Sequence, residues 1–222
     1  MMRTFAEIKQ IAVDRKGAEV LAAHMPNAPV KRFSDWTDDR LLSEFSKRVF
    51  QAGFNWKVVE NKWPGFETAF HGFDLGQNAM MSDEDLDGHL KNTDIVRHAV
   101  KILSVRDNAI FLSDLAREHG SAAKYIGNWP TSDTVGLFAM MKARGARLGG
   151  ATGQYALRFA GFDNFILSRS VVAALTAARV IDGPATSKSA QAKIQAAFND
   201  WHAESGESYA AMSRVLAASV PD

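Results

Sequence analysis

No cysteine occurs among the 222 residues of the chain, which excludes a disulfide framework and any thiolate metal site and fits a reducing compartment. An excess of either charge is also missing. With 26 Lys and Arg against 25 Asp and Glu, the formal net charge is +1, and this neither demands nor excludes a nucleic-acid partner. No apolar run approaches the ~20 residues of a membrane span, and the first residues mix charges where a signal peptide would be apolar. A cytoplasmic protein without a membrane partner is expected. Internal repeats and low-complexity tails are absent, and no stretch alternates at period two as a half-buried strand would.

What is present is helical patterning nearly throughout. Val96, Val100, Leu103, Ile110 and Leu115 form a stripe mostly three or four residues apart, with Arg97, Lys101, Arg106 and Asp107 largely off it. Residues 39 to 52, 132 to 144 and 188 to 203 read in the same way. Ser82 with Asp85 marks a helix start, and Gly145 a stop after Lys142 and Arg144. The fold class is therefore all-α. A hydrophobic content of 46% supports a sizeable core, as one large domain or as two lobes sharing an interface. Residues 1–35 are expected to form an N-terminal helix and a connector ending in Met25-Pro26-Asn27-Ala28-Pro29, with a core over 36–183 and a helical pair over 184–222 introduced by Pro184 to Ser187.

Two segments carry chemical signals. Gln51-Ala52-Gly53-Phe54-Asn55-Trp56, followed by Trp63, Phe66, Phe70 and Phe73, makes an aromatic corner at a helix end that suits a flat ligand. Arg147 to Ala156 is a Gly-rich turn leading into a helix. Such a turn exposes backbone N–H groups to a phosphate, though it also reads simply as an interhelical connection. The six histidines, His24, His71, His89, His98, His119 and His202, show no close metal-ligand pairing.

These segments resemble the 3-methyladenine DNA glycosylase I family, a branch of the helix-hairpin-helix glycosylases, in which the first hexapeptide reads Gln-Ala-Gly-Leu-Ser-Trp. Ile95-Val96-Arg97, Lys101-Ile102, Asn108-Ala109, Pro130-Thr131-Ser132, Lys142-Ala143-Arg144-Gly145 and Gly150-Ala151-Thr152-Gly153-Gln154-Tyr155 follow at the family's spacing, so the resemblance spans roughly residues 38 to 178. It implies a two-lobed helical fold with Trp56 packing on a flipped base, Phe54 and Asn55 filling or probing the gap, and Tyr155 packing the hairpin helix or the pocket floor. The hairpin Gly149, Gly150, Ala151, Thr152 and Gly153, with Arg147 and Lys57, would contact double-stranded DNA; Lys62, Arg158 and Arg169 extend that path. Phe33 or Trp36 is an opposing aromatic wall or part of the core.

Three departures from the family bear on mechanism. Its structural zinc is held by two Cys and two His, whereas Ser170 and Ala174 stand at one His and one Cys position here, so neither zinc nor any cofactor is expected. Eight residues before the pocket Trp the family has a Glu, and this chain has Arg48. Facing inward, Arg48 would repel a cationic base unless Glu44, at i,i+4, pairs with it; otherwise it faces solvent or phosphate. The carboxylate that most helix-hairpin-helix glycosylases place beyond the hairpin is replaced by Ser168, and the glycosylase I family lacks it too. Asp163 is the nearest acidic candidate, or else a turn or helix cap. The resemblance implies a DNA glycosylase that hydrolyses the N-glycosidic bond of a damaged purine, with a silent DNA-binding or lesion-sensing module as the alternative. A helical interaction protein without a DNA role is a third reading.

Overall fold

The computed structural model describes residues 2–23, 25 and 33–221. The connector expected after Met25 lies outside them, as does His24. Among the described residues the secondary structure is helical, with no strand. In chain order the α-helices are α1 (Phe5–Lys16), α2 (Ala18–Ala23), α3 (Asp38–Gln51), α4 (Trp56–Asn61), α5 (Trp63–Ala69), α6 (Leu75–Ala79) and α7 (Asp83–Lys91). They continue with α8 (Ala99–His119), α9 (Ala122–Gly127), α10 (Thr134–Arg144), α11 (Ala151–Phe159), α12 (Arg169–Ala177), α13 (Lys188–Ser205) and α14 (Tyr209–Ala218).

Local chemistry sets many of these ends. Thr4 with Glu7 and Ser82 with Asp85 form capping boxes, each side chain accepting an N–H that the first helical turn leaves free. Ser187 and Ser208 cap α13 and α14. The stop expected at Gly145 is present: α10 ends at Arg144, and the Gly145 N–H donates to the Met141 carbonyl at 2.9 Å.

The chain divides into two compact units. The first takes in the 1–28, 130–137 and 163–222 segments. Here α1 buries Phe5, Ile8 and Ala12 and packs on α13 and α14, around Phe165, Phe198 and Trp201. The chain before α1 is fixed by backbone pairing: Arg3 N–H donates to the Ala178 carbonyl and Trp201 Nε1 to the Arg3 carbonyl, both at 3.1 Å. The Glu204 carboxylate accepts the N–H groups of Phe5 and Ala6 at 3.2 and 3.3 Å, where the positive end of the helix dipole favours it. The segment read as an N-terminal extension is thus joined to the C-terminal pair.

The second unit, residues 29–129 and 138–162, is arranged around α8, on which α3, α6, α7 and α9 pack, with α11 against α3. The stripe expected along this helix is corrected. Leu115 is buried as expected, but Val100 and Ile110 are exposed, and the rest of the buried face is Ile102, Val105, Ala109, Phe111 and Leu112, interleaved with Lys101, Ser104 and Asn108. Those three polar residues are buried because each bonds to backbone carbonyls, so an apolar periodicity passes over the face they occupy.

Candidate functional site

The C-terminus of α3 and the turn after it are held by one lysine. Lys101 Nζ donates to the carbonyls of Val49 at 2.8 Å and Phe50 at 3.1 Å, and also to that of Ala52, satisfying acceptors that a helix end leaves unpaired. Burial, with the nearby charge of Arg147, pulls its ammonium down to about 8. Gly53 turns the chain at φ 79°, and Phe54 lies over the Lys101 ammonium with Nζ 4.5 Å from the ring centre. Asn55 caps α4, accepting the Lys57 N–H at 2.9 Å, and so delivers Trp56 as the first residue of that helix.

Trp56 meets two aromatics of α11, Tyr155 at 6.0 Å and Phe159 at 5.9 Å between ring centres, both in edge-to-face geometry. Trp56 and Phe159 remain 40% and 48% exposed, so the cluster offers apolar ring surface to solvent. Beneath it Arg48 is 8% exposed. Its guanidinium carbon sits 3.8 Å from the Phe159 ring centre and 5.7 Å from that of Trp56. Nε donates to Glu44 and Nη1 to Gln51 Oε1, each at 2.6 Å. Arg48 therefore faces the rings rather than solvent, and the expected i,i+4 pair with Glu44 is formed.

The other aromatics of the corner belong elsewhere. Phe66, Phe70 and Phe73 are fully buried and Trp63 is 9% exposed, stacking on one another as core, with Trp63 Nε1 donating to Glu67 at 3.0 Å. This corrects their reading as part of a ligand grip. Phe33 is also core, packed edge-on against Phe162, and Trp36 is half-buried.

The Gly-rich turn is fixed from below by Asn108, fully buried on α8, whose amide accepts the Ala146 N–H at 2.8 Å and donates to the Ala146 carbonyl at 3.0 Å. Gly150 stands at the N-cap of α11 with φ 61°, and no side chain caps the helix. A Cβ on Gly153 would lie 2.0 Å from the Leu148 carbonyl oxygen, so only glycine lets the helix start this close to the turn. Arg147, Gly149 and Thr152 line a cavity of about 320 Å³ with Val49 and Ala52. An exposed arginine and an uncapped helix N-terminus beside it suit an anion. Ala151 and Lys57 are exposed, whereas Lys62 Nζ donates to the Thr93 carbonyl and is not a free cation at the turn.

The sequence profile of the methyladenine glycosylase family matches residues 34–148, just over half of the chain. The chain belongs to that family. A DNA-3-methyladenine glycosylase of Haemophilus influenzae is 36% identical over 75 residues, a stretch covering 34% of this chain and 40% of the relative. DNA-3-methyladenine glycosylase 1 of Escherichia coli is 36% identical over 59 residues, 27% of this chain and 32% of the relative. The matched region thus spans less than half of either relative. Among solved structures, 3-methyladenine DNA glycosylase I from Staphylococcus aureus shares the fold with a TM-score of 0.52 at 20% identity, over 71% of this chain and 95% of that one. An 8-oxoguanine glycosylase/lyase of Methanocaldococcus jannaschii, crystallised with DNA, aligns over 96% of this chain and 94% of its own with a TM-score of 0.50 at 15% identity.

Within this methyladenine glycosylase family member, the remaining candidates are engaged in structure. Asp163 accepts the N–H groups of Tyr209 and Ala210 at 3.1 and 2.8 Å, a cap on α14. Ser168 is the N-cap of α12, its hydroxyl accepting the Val171 N–H at 3.3 Å. Half-buried Ser170 and buried Ala174 on α12 offer a hydroxyl and a methyl, and no three His, Asp or Glu among the described residues converge as metal ligands. That donor set does not fit zinc. Sequence reading missed Phe159, and it quoted Gln51, Lys101 and Asn108 without a role. Polar residues recurring at helical spacing within an apolar helix were the signal available for the last two.

Proposed function

We propose that this chain binds duplex DNA through the Arg147 to Gly153 turn, receives an extruded base against Trp56, and hydrolyses its N-glycosidic bond. The observation that carries this reading is the Trp56, Tyr155 and Phe159 cluster: half-exposed rings placed by α4 and by the helix that the turn itself starts. A base leaving the stack exchanges base stacking for these rings, while backbone N–H groups hold the adjoining phosphates. Water then bonds to the anomeric carbon as the carbon–nitrogen bond breaks; the bond's electron pair leaves with the base, and the proton that water gives up goes to a base departing as an anion, or to solvent where a cationic base departs neutral. Duplex DNA would be the only partner required, and no cofactor enters. The names of the 36%-identical relatives support the same class of substrate, an alkylated or otherwise damaged purine.

The test is incubation of the protein with damaged duplex DNA followed by chromatography of released bases, with Trp56→Ala as control. Stacking on an aromatic contributes about 1–3 kcal/mol per base, so the variant should lose base-specific binding while melting near wild type, as expected for a side chain 40% exposed. A large drop in melting temperature with unchanged affinity per folded molecule would remove Trp56 from the site. A second reading, a DNA-binding or lesion-sensing module without turnover, is favoured by one observation: both candidate catalytic groups, Asp163 and Ser168, are occupied as helix caps. Lesion-dependent binding without base release would decide for it.

A further inference from the structure

We propose that Arg48 selects neutral purines bearing a carbonyl acceptor and excludes cationic methylated adenines, an inference that rests on the Trp56 cluster being the base site. The guanidinium carbon lies 3.8 Å from the centre of Phe159 and 5.7 Å from that of Trp56. It therefore covers the Phe159 face, on which a flat cation stacked against Trp56 would gain part of its cation–π attraction. A second cation meets both a filled face and a like charge with little water between them. Arginine does not shed its proton to relieve that repulsion, as a lysine would. Glu44 and Gln51 take one N–H each from Nε and Nη1, which fixes the plane of the group. Nη2 makes no hydrogen bond among the described residues, so its two N–H groups and the second one of Nη1 remain as a fork. A fork of this kind donates to adjacent acceptors on a purine edge, the pairing by which arginine reads an oxo group and a ring nitrogen together. An adenine methylated on its ring presents an amino group at that edge instead, with a positive charge.

The probes are duplexes carrying hypoxanthine or a cationic methylated adenine, each on a fluorinated sugar so that the bond cannot be cleaved, and an undamaged duplex. Wild type should bind the hypoxanthine duplex at least about fivefold more tightly than the cationic one, the lower end of what a good bidentate contact discriminates. Arg48→Glu should reverse the order. Arg48→Met should abolish the preference, and it serves if Glu44 repels the new carboxylate and that variant melts early. The same ranking in wild type and in a folded Arg48 variant overturns the proposal while leaving the base site standing, provided damaged duplexes are still preferred over undamaged. No discrimination between damaged and undamaged DNA by any of the proteins overturns the base site and this inference with it.

Discussion

The two ends of α11 are built on opposite principles. At its start, the Gly-rich turn is specified by backbone: Gly153 has no room for a side chain, Gly150 adopts a conformation that side chains resist, and Asn108 grips main-chain atoms. At its end, Phe159 joins a site specified by side chains, where a charged group, its carboxylate partner and three rings settle one another's positions. A backbone-built feature stays the same while surrounding sequence changes, because it asks only for glycine and one amide. A site built from side chains changes its chemistry with a single residue, as Arg48 illustrates. The helix that ties the two together can therefore keep its Gly-rich turn while the chemistry at its far end changes.

The comparison is tested most severely at Glu44. With Arg48 and Glu44 side chains only 8% and 11% exposed, removing the carboxylate leaves a guanidinium paired only through Gln51 and the ring faces. Leaving one partner of a buried pair alone typically costs about 3–5 kcal/mol, so Glu44→Ala should lower unfolding free energy toward that range in a denaturant titration. Glu44→Gln, which keeps an acceptor for Nε, should lose less. Equal and small losses for both would mean that Arg48 is solvated and that the cluster is not organised around it.

Gly153→Ala addresses the other end. Forcing a methyl group into packed structure costs about 1–3 kcal/mol, and a Cβ 2.0 Å from a carbonyl oxygen belongs at the upper limit. DNA affinity should fall with it, and the dependence of binding on salt should flatten as phosphate contacts are lost. Unchanged melting and an unchanged salt slope in the Gly153→Ala protein would separate the turn from DNA binding.

Much of this architecture was legible because it is local. The spans of α3, α10 and α13, the Ser82 and Asp85 capping box and the Gly145 stop depend on neighbours in sequence, and each was expected within one or two residues. The buried face of α8 was not legible, since Lys101 and Asn108 are satisfied by carbonyls reached only in the fold, while Ser104 turns back on the Lys101 carbonyl of its own helix. Aromatic identity was equally silent on fate: Trp56 and Trp63 lie seven residues apart, yet one is 40% and the other 9% exposed. The direction of Arg48 depended on Phe159, more than a hundred residues away.

The smallest expected effect concerns Lys101, which touches both regions by closing the end of α3 and by feeling the charge of Arg147. Its folded-state pKa of about 8 lies below the ordinary value of 10.5, so between these limits the unfolded chain binds a proton that the folded chain has released. Stability rises with pH wherever the unfolded state holds more protons. Below about 8 both states carry the charge, and burial of the ammonium opposes folding in full; as pH climbs toward 10.5 that opposition is relieved. Lys101→Met removes the titration but keeps an apolar side chain in the buried position. The difference in melting temperature between wild type and this variant should therefore shift in favour of wild type from pH 8 to 10.5 and stay flat below 8. A flat difference across the whole range would mean that the three carbonyls hold the proton against burial, making Lys101 a permanent charge beneath Phe54.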